Sequence, residues 1–386
     1  MKKLVQLTLF TVIAFCSFSQ YQIGHTTITF NDPARTGGFG SGGGSGRQIQ
    51  TEIYYPATTA GENTAVASGD FPIIVFGHGF AMSWDAYTNI WEHYASKGYI
   101  LAFPRTEGSL FPAPSHGDFG LDINIVETRM QAEDVLATSL FYQKINGNSA
   151  LMGHSMGGGA TILAASTNTS IKAIVGLAPA ETNPSAIAAA SNVTVPAIIF
   201  SGGQDGVTPP DEHHIPIYDG LSSACKTFVN VVGGAHCYFA NTNFNCDFGE
   251  ATTSTGISIT RADQQTRTYS ILDSWLAYQL KNDNAAWTTF QTSLNASPST
   301  LITETTCSFA GLAEGSDVEI MLSPNPTNSI ISFVNESNEN IEISILNASG
   351  QLLAKKEVQN QVDFTQFESG IYFLQMNGKT YKIIKE

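Results

Sequence analysis

The chain has 386 residues, 42% of them hydrophobic and 13% charged, with 33 acidic against 18 basic side chains and a formal net charge of −15. That apolar share supplies a substantial globular core and leaves room for one large domain and a smaller one. The acidic balance excludes nucleic acid and anionic membrane surfaces as partners, because both select clustered Lys and Arg.

The opening stretch MKKLVQLTLFTVIAFCSFSQ sets two lysines before an apolar run from Leu4 to Phe15, followed by small and polar residues. This is the pattern of a secretory signal peptide, with a run too short for a comfortable bilayer span. Residues 1–20 are assigned to it, with cleavage near Ser19-Gln20; the bulky Phe15 before Cys16 does not fit a lipoprotein anchor. The remaining cysteines are Cys225, Cys237, Cys246 and Cys307. An even count in an exported chain predicts two disulfides, in any of three pairings.

Residues 37–46, GGFGSGGGSG, lack a following GK[ST] and lead into a strand-like segment, so they read as a flexible connection and not a phosphate loop. From there short apolar runs alternate with helical spacing. FPIIVFG (71–77), YILAFP (99–104), SALMG (149–153), IKAIVGLAP (171–179), VPAIIFSGG (195–203) and KTFVNVVGG (226–234) are expected as buried strands. Residues 83–98, 123–144, 156–165 and 261–283 are expected as helices. The alternation predicts an α/β fold, a mostly parallel sheet covered on both faces by helices. After about residue 310 the pattern turns to period-two strands, with hairpin turns at Asn347-Ala-Ser-Gly and Asn377-Gly378. The expected division is a catalytic domain over 21–309, a linker over 310–320 and a small all-β module over 321–386.

Chemistry enters at ALMGHSMGGGAT (150–161), where GHSMG fits G-x-S-x-G between a strand and a helix. A serine on so sharp a turn needs neighbours without Cβ, which Gly153 and Gly157 provide. Ser155 is therefore the expected nucleophile, with the N–H of Met156 as one oxyanion donor at a helix N-terminus. Serine needs a base oriented by a carboxylate, and this topology orders them Ser, acid, His. Asp205 follows the strand at 195–203 and His236 follows the strand at 226–234, so they are assigned as acid and base. Asp211, Asp219 and Glu181 are misplaced for the acid. His213 and His214 are adjacent, so a helix points them apart and a shared metal is not expected. His78, in FGHGF, marks where the second oxyanion donor is taken, assigned to the N–H of Phe80. The chemistry needs no metal and no organic cofactor.

The segments MGHSMGGGAT, the FP-strand-HGF, VPAIIFSGGQD and IPIYDGLSSACKTFVNVVGGAHCYFANTNF resemble bacterial cutinases and polyester hydrolases of poly(ethylene terephthalate), over roughly residues 35–290. The resemblance implies an α/β-hydrolase fold and an esterase without a lid, acting on large apolar esters or polyesters; a monomer is expected. Chlorophyllase-like and dienelactone-hydrolase-like esterases share the HGF and GHSMGG elements. Polyester hydrolases carry a Pro-Trp whose indole stacks on an aromatic acyl ring; here Ala180 stands at that place, and Trp84 is the candidate substitute. Two other readings remain, a small-ester or lipid esterase and a non-catalytic surface binding protein on the same fold. The tail, from SPNPTN to GIYFLQMNGKTYKIIKE, resembles the C-terminal sorting domain of Bacteroidota type IX secretion cargo. That implies passage across the outer membrane by the type IX machinery and removal of the tail. The tail's lack of tryptophan weighs against a substrate-binding module.

Overall fold

The computed structural model describes residues 20–296, 299–307, 322–333, 340–347, 352–376 and 379–386. The expected signal peptide, linker and both tail turns lie essentially outside the described residues. The chain forms two compact units divided after Cys307.

The strands of the first unit are β1 (Gln22–Asp32), β2 (Gly38–Phe39), β3 (Arg47–Ala57), β4 (Gly61–Glu62), β5 (Phe71–Gly77), β6 (Ile100–Pro104), β7 (Ile145–His154), β8 (Ala173–Leu177), β9 (Ala197–Gly202), β10 (Lys226–Val231) and β11 (Leu301–Thr305). They build one sheet in the order β11-β10-β9-β8-β7-β5-β6-β3-β1-β4, with β2 paired to β3. From β6 through β10 every pairing is parallel, while β3, β1 and β11 add antiparallel edges. The helices are α1 (Thr88–Ala95), α2 (His116–Glu133), α3 (Met156–Ala165), α4 (Ala186–Ala190), α5 (His214–Gly220), α6 (Phe244–Thr253), α7 (Arg261–Lys281) and α8 (Asn284–Asn295). This is the mostly parallel, helix-covered sheet expected from the alternation, in the α/β-hydrolase architecture that the resemblance implies.

The sheet is buried on both faces because alternate side chains of each strand feed two separate cores. Ile73, Val75, Leu151 and Ile199 pack with Phe119 and Ile123 of α2 and Ala160 of α3. Their neighbours Ile74, Phe76, Met152 and Phe200 pack with Tyr94 of α1 and Trp275 of α7. One helix differs from expectation. It occupies His116–Glu133 and not 123–144, starting where the Ser115 side chain caps the N–H of Asp118. The apolar spacing located its middle, but the cap lies in a Pro-rich stretch with no apolar period.

The second unit holds β12 (Ile330–Ser332), β13 (Ile341–Asn347), β14 (Leu352–Val358), β15 (Gln361–Asp363), β16 (Gly370–Met376) and β17 (Lys379–Lys385). A β12-β15 pair and a sheet ordered β14-β13-β16-β17, both antiparallel, enclose Ile331, Ile343, Ile345, Phe364 and Leu374.

Candidate active site

Ser155 occupies the turn between β7 and α3 with φ 56° and ψ −124°, a left-handed conformation that costs a non-glycine residue about 1–3 kcal/mol and persists only when its surroundings impose it. The imposing contacts are backbone to backbone. Ser155 N–H donates to Leu177 O at 3.0 Å, and its own carbonyl accepts from Gly159 at 3.1 Å and Ala180 at 2.9 Å. A Cβ on Gly157 would stand 2.1 Å from Gly77 O, and one on Gly153 would stand 2.2 Å from Gly157 O. Both glycines are required by close approach, as the motif predicts. The N–H groups of Met156 and Phe80 donate to no described residue.

Asp205 lies beyond the end of β9 and His236 beyond β10, and the structure joins them: His236 Nδ1 is 2.7 Å from Asp205 Oδ2. The carboxylate is buried and fully engaged. Its Oδ1 accepts the N–H groups of Val207 at 2.9 Å and Thr208 at 2.8 Å, and Oδ2 also accepts the Thr208 hydroxyl at 3.1 Å. Burial by itself would push the Asp205 carboxyl up. The positive field and hydrogen bond of His236, with the Thr208 N–H, outweigh that and hold it below its ordinary value. The Ser155 hydroxyl and His236 Nε2 are bonded to no described residue, and neither is sealed from solvent.

The backbone around His236 is clamped by helices that follow it in sequence. Glu250 of α6 accepts the N–H of His236 at 3.1 Å and of Cys237 at 2.6 Å. Gln264 of α7 holds residue 235 at both ends, accepting from Ala235 N–H and donating to Ala235 O, each at 2.8 Å. Cys237 is disulfide-bonded to Cys246 of α6, and Cys225 to Cys307, which selects one of the three possible pairings. Ser254, just past α6, donates to Glu250 at 2.5 Å and accepts from Gly206 N–H at 2.8 Å, so the Asp205 loop is tied to the same helix.

Two residues that sequence reasoning passed over lie against this site. His154, the variable position of the elbow, is fully buried, with Nε2 donating to His236 O at 3.1 Å and Nδ1 accepting from the Tyr87 hydroxyl at 2.9 Å. Tyr87 in turn accepts Gly79 N–H at 2.8 Å, next to Phe80. Burial, with His236 close by, holds the His154 pKa well below the usual histidine range, so it stays neutral. His214, the first residue of α5, is buried beside Asp205, while its neighbour His213 points elsewhere and accepts Glu181 N–H at 2.9 Å. The adjacency argument correctly separated the two rings but gave no sign that one faces the carboxylate.

Ala180 brings only a methyl group near the elbow. Trp84 stacks on the Arg105 guanidinium, 4.2 Å from its ring centroid, with Phe39 across at 4.9 Å. The three line a cavity of about 450 Å³ together with His78, Met82 and Pro112. Phe80 is exposed, and so are Phe244 and Phe248 on α6, a helix joined to the Phe80 loop by the bond from Asn245 to Ala81 O at 2.8 Å.

Residues 19–270, which contain the elbow, the acid and the histidine, match the PET hydrolase-like family. The chain belongs to that family. Among its relatives are cutinase 1 of Thermobifida cellulosilytica, 28% identical over 55% of this chain and 72% of the relative, and cutinase est1 of Thermobifida alba, 25% identical over 57% and 66%. A bis(hydroxyethyl) terephthalate hydrolase of Streptomyces coelicolor is 27% identical over 51% of this chain and 56% of its own length. The alignments thus span between about half and three-quarters of these relatives. Residues 322–386 match the secretion system C-terminal sorting domain, so the family's hydrolase unit is here joined to the sorting domain of type IX cargo, an export signal.

Proposed function

We propose that the protein is a secreted serine hydrolase of carboxylic esters, cutinase-like, with polyester as its extended substrate. Ser155 Oγ attacks the ester carbonyl carbon while His236 Nε2 takes its proton. The tetrahedral oxyanion is held by the N–H groups of Phe80 and Met156. Collapse breaks the C–O bond to the alcohol, which leaves with the proton from His236, and Ser155 keeps the acyl group. Water, deprotonated by His236, releases the carboxylic acid. Asp205 orients the imidazole and stabilises its charged form.

The observation that carries the reading is the 2.7 Å contact between His236 Nδ1 and the buried Asp205 carboxylate, on the sheet edge that also presents Ser155 in a left-handed turn. The polyester preference rests on the exposed rings of Phe80, Phe244 and Phe248 beside that edge and on the relatives' own names. The test is the full chain on p-nitrophenyl butyrate, an aliphatic polyester and amorphous poly(ethylene terephthalate) film. Ser155→Ala is expected to lower turnover of all three by roughly 10³-fold or more; retention of activity refutes the mechanism. Hydrolysis of the small ester alone, with both polymers intact, leaves a general secreted esterase whose cleft lacks the aromatic contact that Ala180 removes.

A further inference from the structure

Among the described residues, the Thr208 hydroxyl has three polar neighbours around one oxygen: Asp205 Oδ2 at 3.1 Å, His236 Nδ1 at 2.9 Å and His214 Nε2 at 3.0 Å. It has one proton to give. His214, at the other end of its ring, meets Ser201 Oγ at 2.8 Å, and all of these groups are buried. Donor accounting selects one arrangement. Ser201 has no other described acceptor, so its O–H donates to His214 Nδ1. The neutral ring, kept uncharged by burial, then carries its hydrogen on Nε2 and gives it to Thr208. Thr208 is left with its own O–H for Asp205 Oδ2. The opposite sense would leave the buried Ser201 proton without an acceptor and would turn the Thr208 proton away from the carboxylate.

We infer that His214 is a positioning residue, which acts through Thr208 to hold the Thr208 hydroxyl on Asp205 and away from His236. This inference rests on Asp205 and His236 being the acid and base. A hydroxyl oxygen has two acceptor lone pairs; without the His214 N–H to occupy one of them and fix the hydroxyl's rotation, the Thr208 oxygen competes more strongly with the carboxylate for the His236 Nδ1 proton. The imidazole would then be oriented by a neutral hydroxyl for part of the time, when its charged form needs the carboxylate. The directional chain Ser201, His214, Thr208, Asp205 weakens that competitor. Ser201 is on β9 and His214 opens α5, so the relay also joins the strand before the acid to the helix after it.

The test is steady-state kinetics of the full chain on p-nitrophenyl butyrate, with melting temperatures recorded in parallel. His214→Leu is expected to lower kcat three- to tenfold with KM unchanged, and His214→Gln, which keeps an N–H for Thr208, to recover most of the loss. Thr208→Val keeps the shape and removes the hydroxyl. In its background His214→Leu should cost no further activity, because the two act in series. Unchanged kcat in His214→Leu, with only a lower melting temperature, overturns the proposal, as does simple multiplication of the two losses. Should His214→Leu not fold, Ser201→Ala replaces it and must lower kcat in the natural chain but not beside Thr208→Val; any other pattern overturns the relay. Asp205→Asn separates the levels: if it stays fully active the triad reading fails, whereas an inactive Asp205→Asn with a normal His214→Leu refutes the relay alone.

Discussion

Ser155 sits on a turn shaped by glycines two residues to either side. By contrast, Asp205 and His236 are loop residues, and the histidine is held by Glu250 and Gln264, each further along the chain. The first device is local and steric. Its parts are adjacent in sequence, and it either fits or fails. The second is a set of buried hydrogen bonds and one disulfide reaching back from α6 and α7, so it can be weakened in steps. One side of the site should therefore respond to substitution as a switch and the other as a graded series.

The largest effect on activity is expected at Gly157. An added Cβ would meet the backbone Gly77 O at 2.1 Å, with no flexible group to yield. Gly157→Ala should cost at least about 3 kcal/mol of stability, at the upper end for overpacking, and abolish labelling by an organophosphonate. A variant that melts normally and still labels would show that the turn is not sterically imposed.

The two disulfides should separate stability from activity. Cys225–Cys307 closes a separation of 82 residues and Cys237–Cys246 one of 9. Loop-closure entropy gives upper values of about 4–5 and about 2.5 kcal/mol respectively. Replacing Cys225 and Cys307 by alanine should lower the melting temperature more. Replacing Cys237 and Cys246 should lower kcat more, since that bridge anchors the residue next to His236. If both pairs change melting and kcat in the same ratio, the graded view of the histidine loop is wrong.

The smallest effect on the site's chemistry is in acid, where the change is one of stability, spread over several pH units. Burial depresses the pKa of His154 well below the usual range and that of His214 to about 3. Both are neutral in the fold, whereas the unfolded chain takes up protons below about pH 6.5. Stability is therefore complete above that pH and is lost as pH falls from about 6.5 towards 3, by about 1.4 kcal/mol per pH unit for each histidine. Denaturant midpoints between pH 7 and pH 5 should show this slope, and His214→Leu should flatten it by one histidine's share. An unaltered slope in that variant would mean His214 is charged in the fold.

Much of this was legible beforehand. The alternation of buried runs and helices carried the fold, because a strand covered on both faces must be apolar throughout. That Ser155, Asp205 and His236 each follow the C-terminal end of a strand could be read from motif and chain order. The start of α2 could not, because the Ser115 cap sits in a Pro-rich stretch.

The sequence by itself determined the elbow and the parallel α/β frame, for which adjacent residues and a repeating period suffice. Only the tertiary structure decided the disulfide pairing, the roles of Glu250 and Gln264, and which of two adjacent histidines faces the acid. Those depend on where distant helices come to rest, and a side chain's direction at a helix start depends on packing that no local pattern records. His213 and His214 have the same chemistry in the sequence; burial against Asp205 makes them different.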